Sequence, residues 1–182
     1  MIRRILDLCR PDESVSRVTD IDLDRLMDKG FKALLLDLDN TLLPWQSMEV
    51  PADVRRWVNR AVQLGFRLCI VSNTHNPRRL RQIAAEIGVE CVHRALKPRG
   101  SGFTIALAKL GCAGSEAVVV GDQLLTDILG GKLAGMYTIL VDPMHPREFV
   151  GTKISRLIER FLGRKPAGNK GRTGSVSKKD TR

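Results

Sequence analysis

The sequence predicts an α/β fold, a parallel sheet flanked by helices. Three observations predict it. Between residues 31 and 142, short apolar runs of β type alternate with segments of helical period, the signature of βαβ units. Polar residues able to do chemistry stand directly after those apolar runs, where open α/β sheets bind ligands. The 182 residues, 43% apolar, suffice to bury one core without disulfide or metal staples.

Taken in order, strands are predicted near Ala33 to Leu38, Arg67 to Val71, Cys91 to Val92, Ala117 to Val120 and Tyr137 to Val141. The helices between them carry apolar stripes at i, i+3, i+4 and i+7. These are Val54, Trp57, Val58 and Ala61, then Leu80, Ile83, Ala84 and Ile87, then Phe103, Ala106, Leu107 and Leu110. Pro51 and Pro77 stand where a first helical turn accepts proline. Gly65, Gly88, Gly111 and Gly135 follow the last periodic residues as helix-ending glycines. Gly130-Gly131 falls inside a further helix, a costly choice that implies close packing or a functional approach of the backbone.

Residues 1–30 read as an N-terminal extension packing on the core, with a less regular Val15 to Ile21 segment and a helix from Asp22 to Lys29 that ends at Gly30. Residues 31–163 form the main, Rossmann-like domain, closed by a stripe of Ile154, Leu157, Ile158 and Phe161. Residues 164–182 have almost no apolar side chains and read as a disordered basic tail.

Composition excludes several classes. There is no uninterrupted apolar run near membrane-spanning length, and the short apolar stretch after Arg3 and Arg4 soon meets Asp7, Arg10 and Asp12, so neither a spanning helix nor a signal peptide is expected. Cys9, Cys69, Cys91 and Cys112 are far apart with no zinc spacing, which points to free thiols in a reducing, cytoplasmic compartment. The net charge of +10 is unevenly spread: residues 151–182 carry +8 and residues 1–150 only +2. Basicity belongs to the tail.

Four polar sites should converge at one edge of the sheet. They are Asp37-Leu38-Asp39-Asn40-Thr41, Ser72-Asn73-Thr74, Lys97-Pro98, and Gly121-Asp122-Gln123 with Asp127 beyond. Each alone is weak, since Asp, Asn, Ser and Thr are common in turns and at helix starts. Their order and common placement carry the weight. The chemistry they suit is phosphoryl transfer through an aspartate. Asp37, ionised at neutral pH, needs no base to attack phosphorus and can form an acyl phosphate. A cation must screen the meeting of two anions, and Asp37 with Asp122 offers the hard oxygen ligands Mg²⁺ prefers, Asp127 holding the metal or its waters. Asp39 is the candidate general acid and then base. Ser72 and Lys97, with Asn73 and nearby N–H groups, would bind the phosphoryl oxygens.

These four ordered motifs resemble those of the haloacid dehalogenase (HAD) superfamily of aspartate-nucleophile phosphatases. More narrowly, LLLDLDNTLLPW, VSNT, LKP and GDQLLTDILGGKLAGMYTILVDP resemble the YqeG-type branch, related to mitochondrial phosphatidylglycerophosphate phosphatases. The resemblance covers roughly Pro11 to Phe161. It implies Asp37 as nucleophile, Asp39 as acid and base, Ser72 and Lys97 as phosphate ligands and Asp122 as metal ligand, with the main-chain carbonyl of Asp39 a further one. Asp39 also marks phosphate-ester hydrolysis, because a halide leaving group needs no proton.

Thirty residues separate Thr41 from Ser72, and 24 separate Ser72 from Lys97, which leaves no room for a cap domain in either gap. An open site suits a lipid headgroup or a macromolecule. The phosphorylated substrate is accordingly expected to be a membrane lipid such as phosphatidylglycerophosphate, a choice the resemblance supplies rather than any pocket residue. Lys153, Arg156 and Arg160 beside the last apolar stripe, with the tail, suit an anionic membrane surface and a peripheral place at its inner face. A stripe packed on the domain is the plainer reading, and the tail does not choose. A basic tail also binds RNA non-specifically, but no aromatic residue is interleaved to stack bases, so nucleic acid is not expected as a partner. A soluble sugar-phosphate or nucleotide phosphatase and a non-enzymatic RNA- or ribosome-binding protein stay open as alternatives. His75, His93 and His145 read as isolated polar groups.

Overall fold

The computed structural model of the chain describes residues 7–98 and 101–144. The helix expected around residues 153–162 and the basic tail lie outside the described residues. Six strands form one all-parallel sheet: β1 (Glu13–Val15), β2 (Ala33–Leu36), β3 (Arg67–Val71), β4 (Glu90–Val92), β5 (Ala117–Gly121) and β6 (Tyr137–Val141), in the spatial order β1-β6-β5-β2-β3-β4. The helices are α1 (Leu23–Asp28), α2 (Ala52–Gln63), α3 (Pro77–Glu86), α4 (Ser101–Leu110) and α5 (Leu129–Leu133), the last entered through a π-helical turn, Leu124–Ile128.

The sheet is covered on both faces, which is why its central strands read as continuous apolar runs. Successive side chains point to opposite faces. Leu34 and Leu36 of β2 join Ile70, Val118 and Val120 in a core closed by Leu26 of α1, Val54 and Val58 of α2, and Leu80 and Ile83 of α3. Ala33 and Leu35 face the other way, with Cys69, Val71, Val119 and the α4 residues Phe103 and Ala106. The predicted stripes are thus the buried faces. The glycines after α2 and α3 end them as expected: Gly65 and Gly88 have φ of +93° and +70°, a conformation that costs glycine least.

Gly130-Gly131 is explained by packing. A Cβ on Gly130 would lie 2.5 Å from Phe103 Cε2, and one on Gly131 would lie 2.2 Å from Val119 Cγ1. Only a helix without side chains there can lie this close to the sheet and α4.

Two features depart from the sequence reading. The N-terminal extension supplies an edge strand, β1, in parallel register with β6 from Glu13 opposite Ile139 to Val15 opposite Val141. Asp12 anchors it, accepting hydrogen bonds from Thr138 N (2.8 Å), Thr138 Oγ1 (2.9 Å) and Lys132 Nζ. At three residues β1 is too short to show a period. In addition, β2 ends at Leu36 rather than Leu38, because residues 37–43 turn back on themselves.

Candidate active site

The turn after β2 begins with Asp37, whose N–H still bonds across the sheet to Val120 O at 2.9 Å. Asn40 then takes φ of +64°, a left-handed conformation that asparagine tolerates better than most residues. Its N–H donates to Leu43 O at 2.8 Å, and Leu42 N donates to Leu38 O at 3.0 Å, which closes the turn. The D-x-D-N-T string is therefore a strand end followed by a tight loop that sends its two aspartates to different surroundings.

Asp37 meets Lys97. The ammonium stands 2.6 Å from Asp37 Oδ1 and 2.6 Å from Asp127 Oδ1, with all three side chains nearly or wholly buried. Asp122 follows β5 directly, and one carboxylate oxygen from each of Asp37, Asp122 and Asp127 lies within 4.8 Å of the others. Burial, the repulsion of Asp127 and the weaker effect of Asp39 raise the Asp37 carboxyl to about 7 against the pull of Lys97. Burial and the charges of Asp37 and Asp127 raise Asp122 to about 8. Burial would lower the Lys97 ammonium, but Asp127 and Asp37 outweigh it and the net shift is upward. One ammonium thus stands among three acids and bonds two of them.

The backbone makes room for this cluster. In the π-helical turn, Asp127 N and Ile128 N both donate to Gln123 O, at 2.9 and 3.3 Å, while Gln123 N donates to Asp127 Oδ2 at 3.1 Å. Such wide turns are frequent at functional sites. A Cβ on Gly121 would lie 2.3 Å from Asp127 Cγ, so the glycine before Asp122 is what lets Asp127 come in.

Ser72 is buried at the end of β3, the neighbour of β2, and its Oγ accepts from Thr74 N at 3.1 Å. Asn73 clasps the main chain of Lys97: its Oδ1 accepts from Lys97 N at 3.0 Å and its Nδ2 donates to Lys97 O at 3.3 Å. The Asn73 side chain therefore fixes the lysine loop, and the Lys97-Pro98 peptide bond in that loop is cis.

Asp39 is held apart from the other acids. Arg79 of α3 binds both its oxygens, at 2.8 and 3.0 Å, and Gln46 N donates to it at 3.0 Å. Arg79 also donates to Ser47 O from Nε at 3.0 Å and Nη2 at 2.7 Å. Sequence reasoning missed Arg79, and it named Gly121 beside Asp122 without the reason for it. The available signal for Arg79 was its place one helical turn before Ile83, on the flank of the buried stripe, where an arginine needs a partner.

The predicted residues Asp37, Lys97, Asp122 and Asp127 thus form one cluster, with Ser72 and Asn73 on the adjoining loop and Asp39 in its own ion pair. Three all-oxygen side chains suit a hard cation, and Asp122 Oδ1 is buried without a hydrogen-bond partner among the described residues. The residues present fit Mg²⁺.

Comparison with known proteins places the chain in a family. The family model described as mitochondrial PGP phosphatase matches residues 4–145. A Bacillus subtilis protein, "Probable phosphatase YqeG", is 35% identical over 152 residues, which are 84% of this chain and 88% of that one. The Arabidopsis thaliana phosphatidylglycerophosphate phosphatase 1 is 32% identical over 165 residues, 85% of this chain but 47% of that longer protein. Among solved structures, an HAD phosphatase from Thermococcus onnurineus superposes with a TM-score of 0.54 at 18% identity, over 66% of this chain and 90% of that one, a likeness of fold. The chain belongs to the mitochondrial PGP phosphatase family and is a phosphatase, with a fold like that of an HAD phosphatase.

Proposed function

We propose that the chain is a Mg²⁺-dependent phosphomonoesterase that works through an aspartyl phosphate on Asp37, and that its substrate is a lipid phosphate of the phosphatidylglycerophosphate type. One observation carries the mechanism: Asp37, Asp122 and Asp127 converge within 4.8 Å while Lys97 bridges two of them at 2.6 Å. Three converging carboxylates, two of them buried, are costly unless cations offset their charge. Asp37, the main-chain carbonyl of Asp39, and Asp122 would hold Mg²⁺, with Asp127 behind them. Bound there, the ion would offset the repulsion between carboxylate and phosphate and keep Asp37 ionised at neutral pH.

In the first step an Asp37 oxygen attacks phosphorus, the ester P–O bond breaks, and Asp39 gives its proton to the departing alkoxide. Water then attacks the aspartyl phosphate, Asp39 takes a proton from it, and phosphate leaves with Asp37 restored. Lys97, Ser72 and the Asn73 main chain bind the phosphoryl oxygens, where charge builds up.

The lipid choice rests on the family and on the plant relative, a phosphatidylglycerophosphate phosphatase. An anionic membrane contact through the basic end of the chain belongs to the same reading, as does a peripheral location. Among the described residues, no helix is long and apolar enough to cross a membrane. The test is phosphate release from phosphatidylglycerophosphate in mixed micelles and from soluble phosphomonoesters, each with Mg²⁺ and with EDTA. Release confined to the lipid and abolished by EDTA is expected. Release from sugar phosphates or nucleotides at higher kcat/KM than from the lipid overturns the substrate, and EDTA-insensitive release overturns the metal.

A further inference from the structure

A cavity of 570 Å³ opens at the carboxyl ends of β3 and β4, lined by Asn73, His75, Arg94, Leu96, Lys97 and Pro98. It shares Lys97 with the acid cluster, so a phosphomonoester bound at Asp37 has this space directly beside it. Its volume lies within the range of small-molecule sites and exceeds what a phosphoryl group alone fills.

Three further observations say what it would hold. Among the described residues, neither Arg94 nor His75 has an ion pair or side-chain hydrogen bond; Arg56 and Arg78 are open in the same way, but of these arginines Arg94 is the one that lines the cavity. A guanidinium left open at a cavity wall is matched to the paired oxygens of a phosphate group. Next, Arg94 and Leu96 both have left-handed backbones, φ of +48° and +53°, which non-glycine residues seldom adopt and which concentrate at ligand sites. The loop is pinned in that shape from several sides. Ala95 N donates to Ser72 O at 3.1 Å, Gly102 N donates to Ala95 O at 2.9 Å, and Asn73 clasps Lys97. Lastly, Leu96 is 63% exposed, so the rim is apolar beside a cationic wall.

Resting on the lipid-phosphate reading, we infer that this cavity is a subsite for a second anionic group on the leaving alcohol, a phosphodiester, with Arg94 as its principal ligand and His75 beside it. The same cavity then selects substrates. A phosphomonoester with a phosphodiester a glycerol unit away gains the Arg94 contact, Leu96 and Pro98 meet its carbon chain, and a simple monoester gains neither.

The test is binding, so that it does not depend on turnover. In an Asp37→Asn protein with Mg²⁺, calorimetry compares deacylated phosphatidylglycerophosphate, which has both phosphates, with glycerol 3-phosphate, which has one. The first is expected to bind about ten-fold more tightly, the worth of one charge-assisted contact, and Arg94→Ala in that background should bring the ratio close to one. Arg81→Ala, an exposed arginine on α3, should leave the ratio as it was. Equal affinities in the parent, no binding of the two-phosphate ester, or a ratio that Arg94→Ala does not change overturns the subsite. Failure of the underlying reading shows separately, as a native enzyme that releases no phosphate from the lipid while the binding ratio holds.

Discussion

Arg79 grips Asp39 by both carboxylate oxygens, at 2.8 and 3.0 Å, in a pair of which 7% and 13% of the side chains are exposed. The fork fixes where the candidate acid sits when no substrate is present, and it ties α3 to the loop after β2.

Arg79→Lys keeps the charge but has no second nitrogen to complete the fork. It should lower kcat about ten-fold with a smaller change in KM, since one charge-assisted hydrogen bond is worth about 1.5 kcal/mol. Arg79→Ala, which strands a nearly buried carboxylate, should in addition destabilise the fold by about 3 kcal/mol in urea denaturation. Unchanged kcat in Arg79→Lys would separate the pair from catalysis.

Gly121→Ala puts a methyl group where the Asp127 carboxylate now lies, 2.3 Å from its Cγ. Asp127 must move, and with it the Lys97 ammonium. A stability loss of about 1–3 kcal/mol and a fall in kcat of about 100-fold are expected, because small displacements of positioned groups are costly in rate. Denaturation and steady-state kinetics on the same preparation check both.

If the acid cluster holds Mg²⁺, the ion stabilises the folded chain by mass action. At a concentration about 100 times its Kd it should raise Tm by about 5–10 °C. Asp122→Asn, which removes a ligand whose Oδ1 has no partner among the described residues, should abolish most of that rise without unfolding the protein. Ca²⁺-free differential scanning calorimetry with and without Mg²⁺ reads it directly.

The edge strand gives a pH prediction. Burial raises the Asp12 carboxyl, but hydrogen bonds from Lys132 and Thr138 outweigh it and the net value is below the ordinary 3.8. A depressed folded value contributes stability that is complete above the unfolded pKa and lost as pH falls through the folded one. The stability gap between the native chain and Asp12→Asn should therefore be constant near neutrality and shrink below about pH 4. A gap that grows on acidification contradicts the anchor.

The parallel sheet was legible because its strands are apolar on both faces and its helices keep strict stripes, as in Leu34 to Leu36 and Leu80 to Ile87. Asp37, Lys97, Asp122 and Asp127 were legible because each follows a strand or lies in the segment beyond one. Other contacts were not, because they join residues distant in sequence by means no period records. Arg79 lies 40 residues from the carboxylate it holds, and Gly121 is required by a side chain placed by a π-helical turn. Strand β1 escaped notice because three residues carry no alternation, and His75 looked isolated until the fold set it in the lining of the same cavity as Arg94.

The central claim is that phosphorus is transferred to Asp37. It is tested most directly by mixing enzyme, Mg²⁺ and phosphatidylglycerophosphate, quenching in acid within one turnover, and mapping phosphorylation by tandem mass spectrometry. The account predicts an acid-stable, hydroxylamine-labile phosphoryl group on Asp37, absent from Asp37→Asn, which should show no turnover. Label on another residue, or full turnover by Asp37→Asn, would contradict it.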